Sequence, residues 1–163
     1  MHRRQFLSAF LRTDEGLRPP YWAGPANSKL DCNSCGDCIP ACPERILFSA
    51  EDGRPSIDFQ AGACTFCGAC VEACKTDALS QQIDPQKAYR VQINPSCLSY
   101  LGVSCRSCAD FCEHGAIRFS LAPSGRHIPV LDAHVCTGCG ACVSSCPSTS
   151  IEITQSKRPG GAP

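Results

Sequence analysis

Cysteine is the residue type in this chain whose number and spacing could do chemistry. Sixteen of the 163 residues are cysteines, and they fall into four motifs of four. The motifs are Cys32, Cys35, Cys38 and Cys42; Cys64, Cys67, Cys70 and Cys74; Cys97, Cys105, Cys108 and Cys112; and Cys136, Cys139, Cys142 and Cys146. Three thiolates that are two residues apart on one loop can bind three irons of a [4Fe-4S] cubane, and a fourth thiolate completes the ligand set. The spacing therefore predicts four [4Fe-4S] clusters held by all sixteen cysteines.

Zinc binding and disulfide bonding are the alternatives for so many cysteines. Structural zinc usually takes two cysteine pairs separated by a longer spacer, which differs from three cysteines with two residues between neighbours and a fourth after three more intervening residues. Disulfides do not form readily between such close neighbours, and a reducing compartment disfavours them. The four repeated motifs favour iron–sulfur clusters over both alternatives.

The motifs repeat as a pair of pairs, which indicates how the chain is organised. The second and fourth motifs nearly superimpose at a distance of 72 positions, and Cys42 and Cys112 lie 70 positions apart. The repeat predicts an α+β fold, a tandem pair of small bacterial two-[4Fe-4S] ferredoxin-like modules stabilised mainly by their clusters. The expected domains are a basic N-terminal arm (1–30), a first module (31–80), a linker (81–95), a second module (96–154) and a disordered tail (155–163).

Short strands and helical turns must position these cysteines. Residues 46–48 and 55–59 flank the turn-forming pair Asp52-Gly53 and predict a hairpin, and residues 117–119 and 128–131 predict its counterpart. A helical turn is expected a few residues after the fourth cysteine of each motif. Within the linker, Tyr89–Ile93 alternates in polarity and predicts a strand packed between the modules.

The spacing leaves open which motif receives each fourth cysteine. In two-cluster bacterial ferredoxins the fourth cysteine of one motif binds the cluster of the other, and by analogy the same crossing is expected inside each module. Local binding within a single motif is the alternative. Seven residues separate Cys97 from Cys105, where the other motifs have two, so Cys97 could instead be a free thiol beside a cluster with one open iron.

Other features of the sequence exclude several classes of function. The 15 basic residues balance the 15 acidic ones, which does not favour a nucleic-acid partner, and no apolar run approaches the length of a membrane span. Arg3-Arg4-Gln5-Phe6-Leu7 is similar to the start of a twin-arginine export signal, but Arg12 and Asp14 end the apolar stretch. The chain is expected to remain in the cytoplasm.

The sequence has no catalytic triad or nucleotide-binding loop, so we do not expect an enzyme. The histidines are interpreted as surface or structural residues, namely His2, His114, His127 and His134.

The chain resembles the NapF family of ferredoxin-type proteins. The resemblance rests on the basic N-terminal arm, on Arg18-Pro19-Pro20-Tyr21-Trp22, and on four cysteine motifs of which the third is stretched. It implies a cytoplasmic accessory protein that binds the immature catalytic subunit of periplasmic nitrate reductase, NapA. It further implies that the chain assists insertion or reduction of that subunit's cluster before export. A polyferredoxin that passes single electrons to a reductase is the alternative, and an adaptor that uses its clusters only for shape is a third possibility.

The clusters should change the net charge of the protein when they are bound. An oxidised [4Fe-4S] core with four thiolates carries about −2, so four sites would bring the formally neutral chain to about −8. Such a protein should favour basic partner surfaces. The arm that contains Arg3, Arg4, Arg12 and Arg18 is expected to be the positive exception, and Tyr21 and Trp22 are expected to pack rather than to recognise a partner.

Overall fold

The protein is built from short strands and single helical turns. The computed structural model describes residues 16–23, 32–86 and 88–156. The elements in these ranges are β1 (Leu47–Ser49), β2 (Pro55–Ile57), α1 (Ala69–Glu72), β3 (Tyr89–Ile93), α2 (Ser107–Asp110), β4 (Ile117–Leu121), β5 (His127–Leu131), α3 (Ala141–Ser144) and β6 (Ile151–Gln155). In the described part of the chain, no helix has the length and apolarity that crossing a membrane requires.

Each module contains one antiparallel hairpin between its two cysteine motifs. Strand β1 pairs with β2, and Leu47 lies opposite Ile57. Strand β4 pairs with β5, and Ile117 lies opposite Leu131. Gly53 closes the first turn with a φ of +75°, a conformation that glycine adopts without a steric penalty. Both hairpins confirm the prediction from the sequence, and the overall α+β architecture of two small modules is as expected.

The remaining sheet joins segments that are distant in sequence. Strand β3 pairs with β6 in antiparallel register, so that Tyr89 lies opposite Gln155 and Ile93 lies opposite Ile151. The predicted strand in residues 81–95 is therefore confirmed, and it packs between the modules as expected, because Tyr89 meets Phe59 of the first module while β3 pairs with β6. The expected start of the disordered tail was wrong at Gln155, which is the last residue of β6. Residues 157–163 lie outside the described part of the chain.

The first module has a shorter version of the same pairing. Trp22 forms an isolated antiparallel bridge with Leu79. The N–H of Ala23 donates to the carbonyl of Ala78 at 2.9 Å, and that of Ser80 donates to the carbonyl of Tyr21 at 3.0 Å. Trp22 is 1 % exposed, which confirms that the aromatic pair packs. The apolar and basic residues of the arm before position 16 lie outside the described residues.

Arg18 differs from its expected role as part of an exposed basic arm. Its side chain is 3 % exposed and forms an ion pair with Asp52. It also donates to the carbonyl of Pro55 at 3.2 Å, and its backbone N–H donates to Gln155 Oε1 at 2.8 Å. The expectation failed because a carboxylate and backbone carbonyls that are far away in sequence surround the guanidinium. Arg18 therefore connects the first hairpin to the last strand of the second module.

The helical turns lie earlier in the motifs than expected. Helices α1, α2 and α3 contain the third cysteine of their motif, and they end before the fourth. The prediction of a helical turn after the fourth cysteine was wrong. Gly68 and Gly140 precede α1 and α3 in the left-handed region, with φ of +81° and +86°, and this conformation reverses the loop into the helix.

Aromatic packing joins the modules. The rings of Phe59 and Tyr89 meet edge to face, with centroids 5.1 Å apart and planes at 85°. Phe59 also covers Gly140 so closely that a Cβ there would lie 2.0 Å from the ring. A main core of buried residues, including Ile46, Ile57 and Ile151, contains residues of both modules. The cysteines are therefore arranged around a core shared by the two repeats.

Candidate cluster-binding sites

The sixteen cysteines meet in four sets around four cavities, and each set contains residues of both motifs of its module. We call these sets quartets. The first quartet is Cys32, Cys35, Cys38 and Cys74, the second is Cys42, Cys64, Cys67 and Cys70, the third is Cys97, Cys105, Cys108 and Cys146, and the fourth is Cys112, Cys136, Cys139 and Cys142. The structure therefore has the crossed arrangement, in which the fourth cysteine of each motif joins the three leading cysteines of the other.

The helical turns explain why the motifs cross. Cys70 lies in α1 and Cys74 follows it by four residues, which is about one helical turn. Helix α1 ends at Glu72 and Ala73 caps it, so Cys74 lies past the end of the helix and away from Cys70. Cys70 therefore lines the second cavity, and Cys74 reaches the first. The same relation holds for Cys142 and Cys146 around α3.

The donor sets suit a group that is larger than one metal ion. No disulfide joins any of the sixteen cysteines, all of which lie in the described part of the chain. Among the described residues, no three Cys, His, Asp or Glu side chains come together closely enough to hold a single ion, as a zinc site would require. The hydroxyl of Thr137, on the wall of the fourth cavity, is buried without a hydrogen-bond partner in the described ranges. An acceptor inside that cavity, such as a cluster sulfide, would satisfy it.

Burial makes ionisation of several of the quartet thiols unfavourable. It raises the pKa of Cys38 to about 11, and neighbouring thiols, Cys74 first among them, add to the shift. Burial likewise raises the pKa of Cys70 and Cys142 to about 12, with contributions from cysteines of their own quartets and from one cysteine of the neighbouring quartet, Cys38 and Cys108 respectively. A cationic group in the cavity reverses this preference, because thiolates bind it directly and release their protons.

In two motifs the pKa of the fourth cysteine is lowered instead of raised. Burial opposes ionisation of Cys74, but hydrogen bonds from Thr76 and from backbone N–H groups outweigh it and lower the pKa. The Thr76 hydroxyl lies 3.5 Å from Cys74 Sγ. Cys146 has a lowered pKa for the same reason, with the hydroxyls of Ser150 and Ser148 at 3.3 and 3.6 Å from its Sγ. These donors stabilise a thiolate in the first and third quartets.

Cys97 is fully integrated into the third quartet despite the longer gap that follows it. Its side chain is 8 % exposed, and its N–H donates to the carbonyl of Asn94 at 3.0 Å. The hydroxyl of Ser99 donates to the carbonyl of Cys105 at 2.7 Å, which ties the start of the long loop to its end. The extra residues therefore form a loop outside the quartet, and Cys97 lies where a fourth ligand is needed.

Sequence reasoning found all sixteen cysteines but missed the hydroxyl groups around them. Thr76 and Ser148 each lie two residues after a fourth cysteine, whereas Glu44 and His114 stand at that position in the other two motifs. This difference between the motifs was a signal that the sequence contained. The burial of Thr137 could not be inferred in the same way, because Thr65 occupies the corresponding place in the second motif and is exposed.

Comparison with known proteins gives evidence for iron–sulfur clusters that does not depend on the geometry of the quartets. The family described as 4Fe-4S dicluster domain matches residues 31–78 and 103–150. The second of these ranges begins after Cys97. The chain is 37 % identical to the "Ferredoxin-type protein NapF" of Escherichia coli K12, over 91 % of this chain and 92 % of that protein. It is also 37 % identical to the protein of the same description from Haemophilus influenzae, over 88 % of this chain and 81 % of that one.

A more distant relative is a ferredoxin-type protein of methylamine utilization. The chain is 32 % identical to the "Methylamine utilization ferredoxin-type protein MauM" of Paracoccus denitrificans, over 86 % of this chain and 73 % of that protein. Two dicluster domains account for four [4Fe-4S] clusters, which equals the number of cysteine quartets.

Proposed function

The chain belongs to the NapF family of ferredoxin-type iron–sulfur proteins, and from this premise we propose that it assists the maturation of a periplasmic nitrate reductase. Its partner in this proposal is the immature catalytic subunit, NapA, which it binds in the cytoplasm before export. It supports the insertion or the reduction of that subunit's iron–sulfur cluster. The role of the chain is to hold and present clusters, without a catalytic step of its own.

Four complete quartets carry the proposal. Each cavity is lined by four thiols, and we assign these sixteen cysteines as the cluster ligands. A [4Fe-4S] cluster, when bound, accepts and returns single electrons. The chain's own contribution is to release thiol protons as the ligands bind, to donate hydrogen bonds to their sulfurs, and to limit the access of water.

The exposure of the first two quartets supports delivery to a partner. Cys35 and Cys67 are exposed, whereas every cysteine of the second module is at least half-buried. The thiolate is the form of cysteine that binds a metal, and an incoming thiolate needs an accessible edge to reach it. The first module therefore presents its clusters to a partner more openly than the second module does.

An electron carrier is the second candidate, and one observation favours it. The quartets of the two modules meet directly, because the N–H of Cys64 donates to the carbonyl of Cys139 at 2.8 Å. The second and fourth quartets therefore lie side by side across the junction of the modules, which is an arrangement that suits a carrier of single electrons. This candidate requires clusters that stay on the chain and a partner that is already mature.

An anaerobic transfer assay distinguishes the two functions. The holoprotein, with about sixteen irons if all four cubanes are present, is incubated with cluster-free NapA precursor. The proteins are then separated, and iron and acid-labile sulfide are counted on both. A ferrous chelator is included so that free iron cannot load the precursor, and a parallel sample receives free iron and sulfide in place of the holoprotein.

The outcomes are as follows. Loss of about four irons from the chain and gain of the same number by the precursor establishes insertion. An unchanged count, together with complex formation and a reduced cluster on a preloaded precursor, establishes reductive support. If the chain neither binds the precursor nor changes its cluster, but reduces the mature enzyme, the maturation role is wrong and the chain is an electron carrier.

A further inference from the structure

The stretched third motif forms one wall of an open cavity that no cluster site uses. The cavity has a volume of about 410 Å³ and lies between the loop after Cys97 and the β4–β5 hairpin. Its lining includes Val103 and Ser104 from the loop, Arg106 immediately before α2, and Phe119, Arg126 and His127 from the hairpin. It reaches the third quartet at Cys105.

Specific contacts hold the loop against the hairpin. The hydroxyl of Tyr100 donates to the carbonyl of Pro129 at 3.3 Å, and Arg126 Nη1 donates to the carbonyl of Tyr100 at 2.7 Å. The guanidinium of Arg106 stacks over the ring of Phe119 at 5.5 Å. Because the loop is anchored at both the strand and the turn, the cavity is a defined feature of the fold.

The wall of the cavity is positively charged. Arg106 and Arg126 are exposed on it, His127 stands beside them, and no Asp or Glu lines it. None of the ion pairs found among the described residues involves these three side chains. Two guanidinium groups therefore face the cavity without a carboxylate partner from the described part of this chain.

The first module shows the same turn with its charge neutralised. The turn hydrogen bonds of Ala50 with Arg54 recur at Ala122 with Arg126, so that Arg126 is the structural counterpart of Arg54. Arg54 forms an ion pair with Asp52 at 2.6 Å, but Ser124 occupies the position that corresponds to Asp52. The second module thus keeps the arginine and lacks the acid that would compensate it.

We propose that this cavity is a docking site for an acidic segment of a partner protein. Clusters of arginine recognise carboxylate-bearing motifs, because the planar guanidinium binds a carboxylate with two hydrogen bonds. The cavity can hold several side chains, and Leu101 and Val103 are exposed at its loop, 65 % and 52 % respectively. The occupant is therefore a peptide segment with acidic and apolar residues, which these features fit better than a small inorganic anion.

This site changes the expected pattern of charge on the loaded protein. Clusters make the protein negative as a whole, and Arg18, once expected to be part of a positive arm, is buried against Asp52. The cavity is a positive feature on that surface, and it would bring the partner's acidic segment next to the third quartet. Either a maturation partner or a mature redox partner could carry such a segment, so the site does not depend on which proposed function is correct.

Peptide binding to the holoprotein tests the site. The probe is a fluorescein-labelled hexapeptide of four glutamates and two leucines, and its counterpart has lysine in place of glutamate. Fluorescence anisotropy at physiological ionic strength gives Kd for the wild type, for the double variant Arg106→Gln and Arg126→Ser, and for Arg118→Gln. Arg118 is an exposed arginine of β4 that does not line the cavity, so its variant is a control for the loss of one exposed positive charge elsewhere on the hairpin. Iron content confirms that each variant keeps its clusters.

We expect the acidic peptide to bind and the double variant to weaken it about tenfold or more, as for the loss of two charge-assisted contacts. The Arg118→Gln control should change Kd less than twofold, which is the range of an exposed charge. An equal loss in the control, no binding by the wild type, or preference for the lysine peptide would overturn the proposal. So would displacement of the peptide by equimolar inorganic phosphate, since the occupant would then be a small anion.

Discussion

Cys64 and Cys139 connect the two halves of the molecule, because the N–H of Cys64 donates a 2.8 Å hydrogen bond to the carbonyl of Cys139. Each residue belongs to a different quartet and to a different module. Proximity to Cys139 also contributes to the raised pKa of Cys64, which burial takes to about 11 together with repulsion from Cys42 and Cys67. The second and fourth quartets therefore lie side by side at the junction, where packing must be close.

A methyl group at Gly140 tests how tight that junction is. The change Gly140→Ala should destabilise the protein by about 1–2 kcal/mol through the left-handed backbone, and by about 1–3 kcal/mol more through overlap with Phe59. Gly68 is the matched control, because it has the same backbone conformation with no atom within 4 Å of an added Cβ. The half-life of visible cluster absorbance under a chelator at a fixed temperature measures the effect. Equal half-lives for the two variants would contradict the close contact with Phe59.

Replacing Cys97 tests its assignment as a ligand and tests the crossing of the motifs. The change Cys97→Ala should remove about one to four irons and alter one cluster signal in the electron paramagnetic resonance spectrum of the reduced protein. Cys146→Ala should alter the same signal, because both residues belong to the third quartet, whereas Cys112→Ala should alter a different one. Ser96→Ala, an exposed neighbour, is the control. A full iron count in the Cys97 variant would show that this residue is not a ligand.

The hydroxyl beside Cys74 should tune the first cluster site. Hydrogen bonds to ligand sulfurs raise the reduction potential of a cluster, so Thr76→Val should make one of the potentials more negative and leave the others in place. Potentiometric titration followed by electron paramagnetic resonance measures this. Thr154→Val on β6 removes an exposed hydroxyl away from the cavities and should change nothing. A shift of every potential by the same amount would point to a general structural effect instead.

The ion pair of Arg18 and Asp52 should contribute more to stability than an exposed pair does. Asp52→Asn removes the carboxylate that pairs with the buried Arg18 guanidinium and with Arg54, and it should cost about 1–2 kcal/mol, a value reduced for the partial exposure of Asp52. Asp37→Asn breaks an exposed pair with Lys75 and is the control. Denaturant unfolding of the holoprotein compares the two variants at neutral pH, and equal midpoints would contradict the role of burial.

The pH dependence of this contribution follows from the pKa of Asp52. Burial opposes its ionisation, but hydrogen bonds from Arg18 and Arg54 outweigh that effect and lower the pKa below the ordinary value of 3.8. A carboxyl with a lowered pKa in the folded state stabilises fully above the ordinary value. The contribution is lost as the pH falls through the lowered value. The difference between wild type and Asp52→Asn should therefore stay constant from neutral pH down to about 5.

Much of the site was determined by the sequence, because the cluster motifs are local. Three cysteines two residues apart lie on one loop whatever the rest of the chain does, so the four ligand groups and the repeat of two modules followed from spacing. The hairpins followed from Asp52-Gly53 and Ser124-Gly125 between apolar runs for the same reason. Each motif and each hairpin lies within one short stretch of chain, the range over which backbone preferences and turn geometry act. The repeat of the motifs at 70 and 72 positions is visible in the sequence itself.

The tertiary structure decided what depends on residues far apart in the chain. Core packing brings together segments that are distant in sequence. It places Cys74 and Cys146 in the cavity of the other motif of their module. It also buries Arg18 against Asp52 and pairs Tyr89 with Gln155. The role of Cys97 was likewise decided by the tertiary structure. Spacing alone put that ligand in doubt, whereas the fold places Cys97 in its quartet and moves the extra residues outward to form a basic cavity.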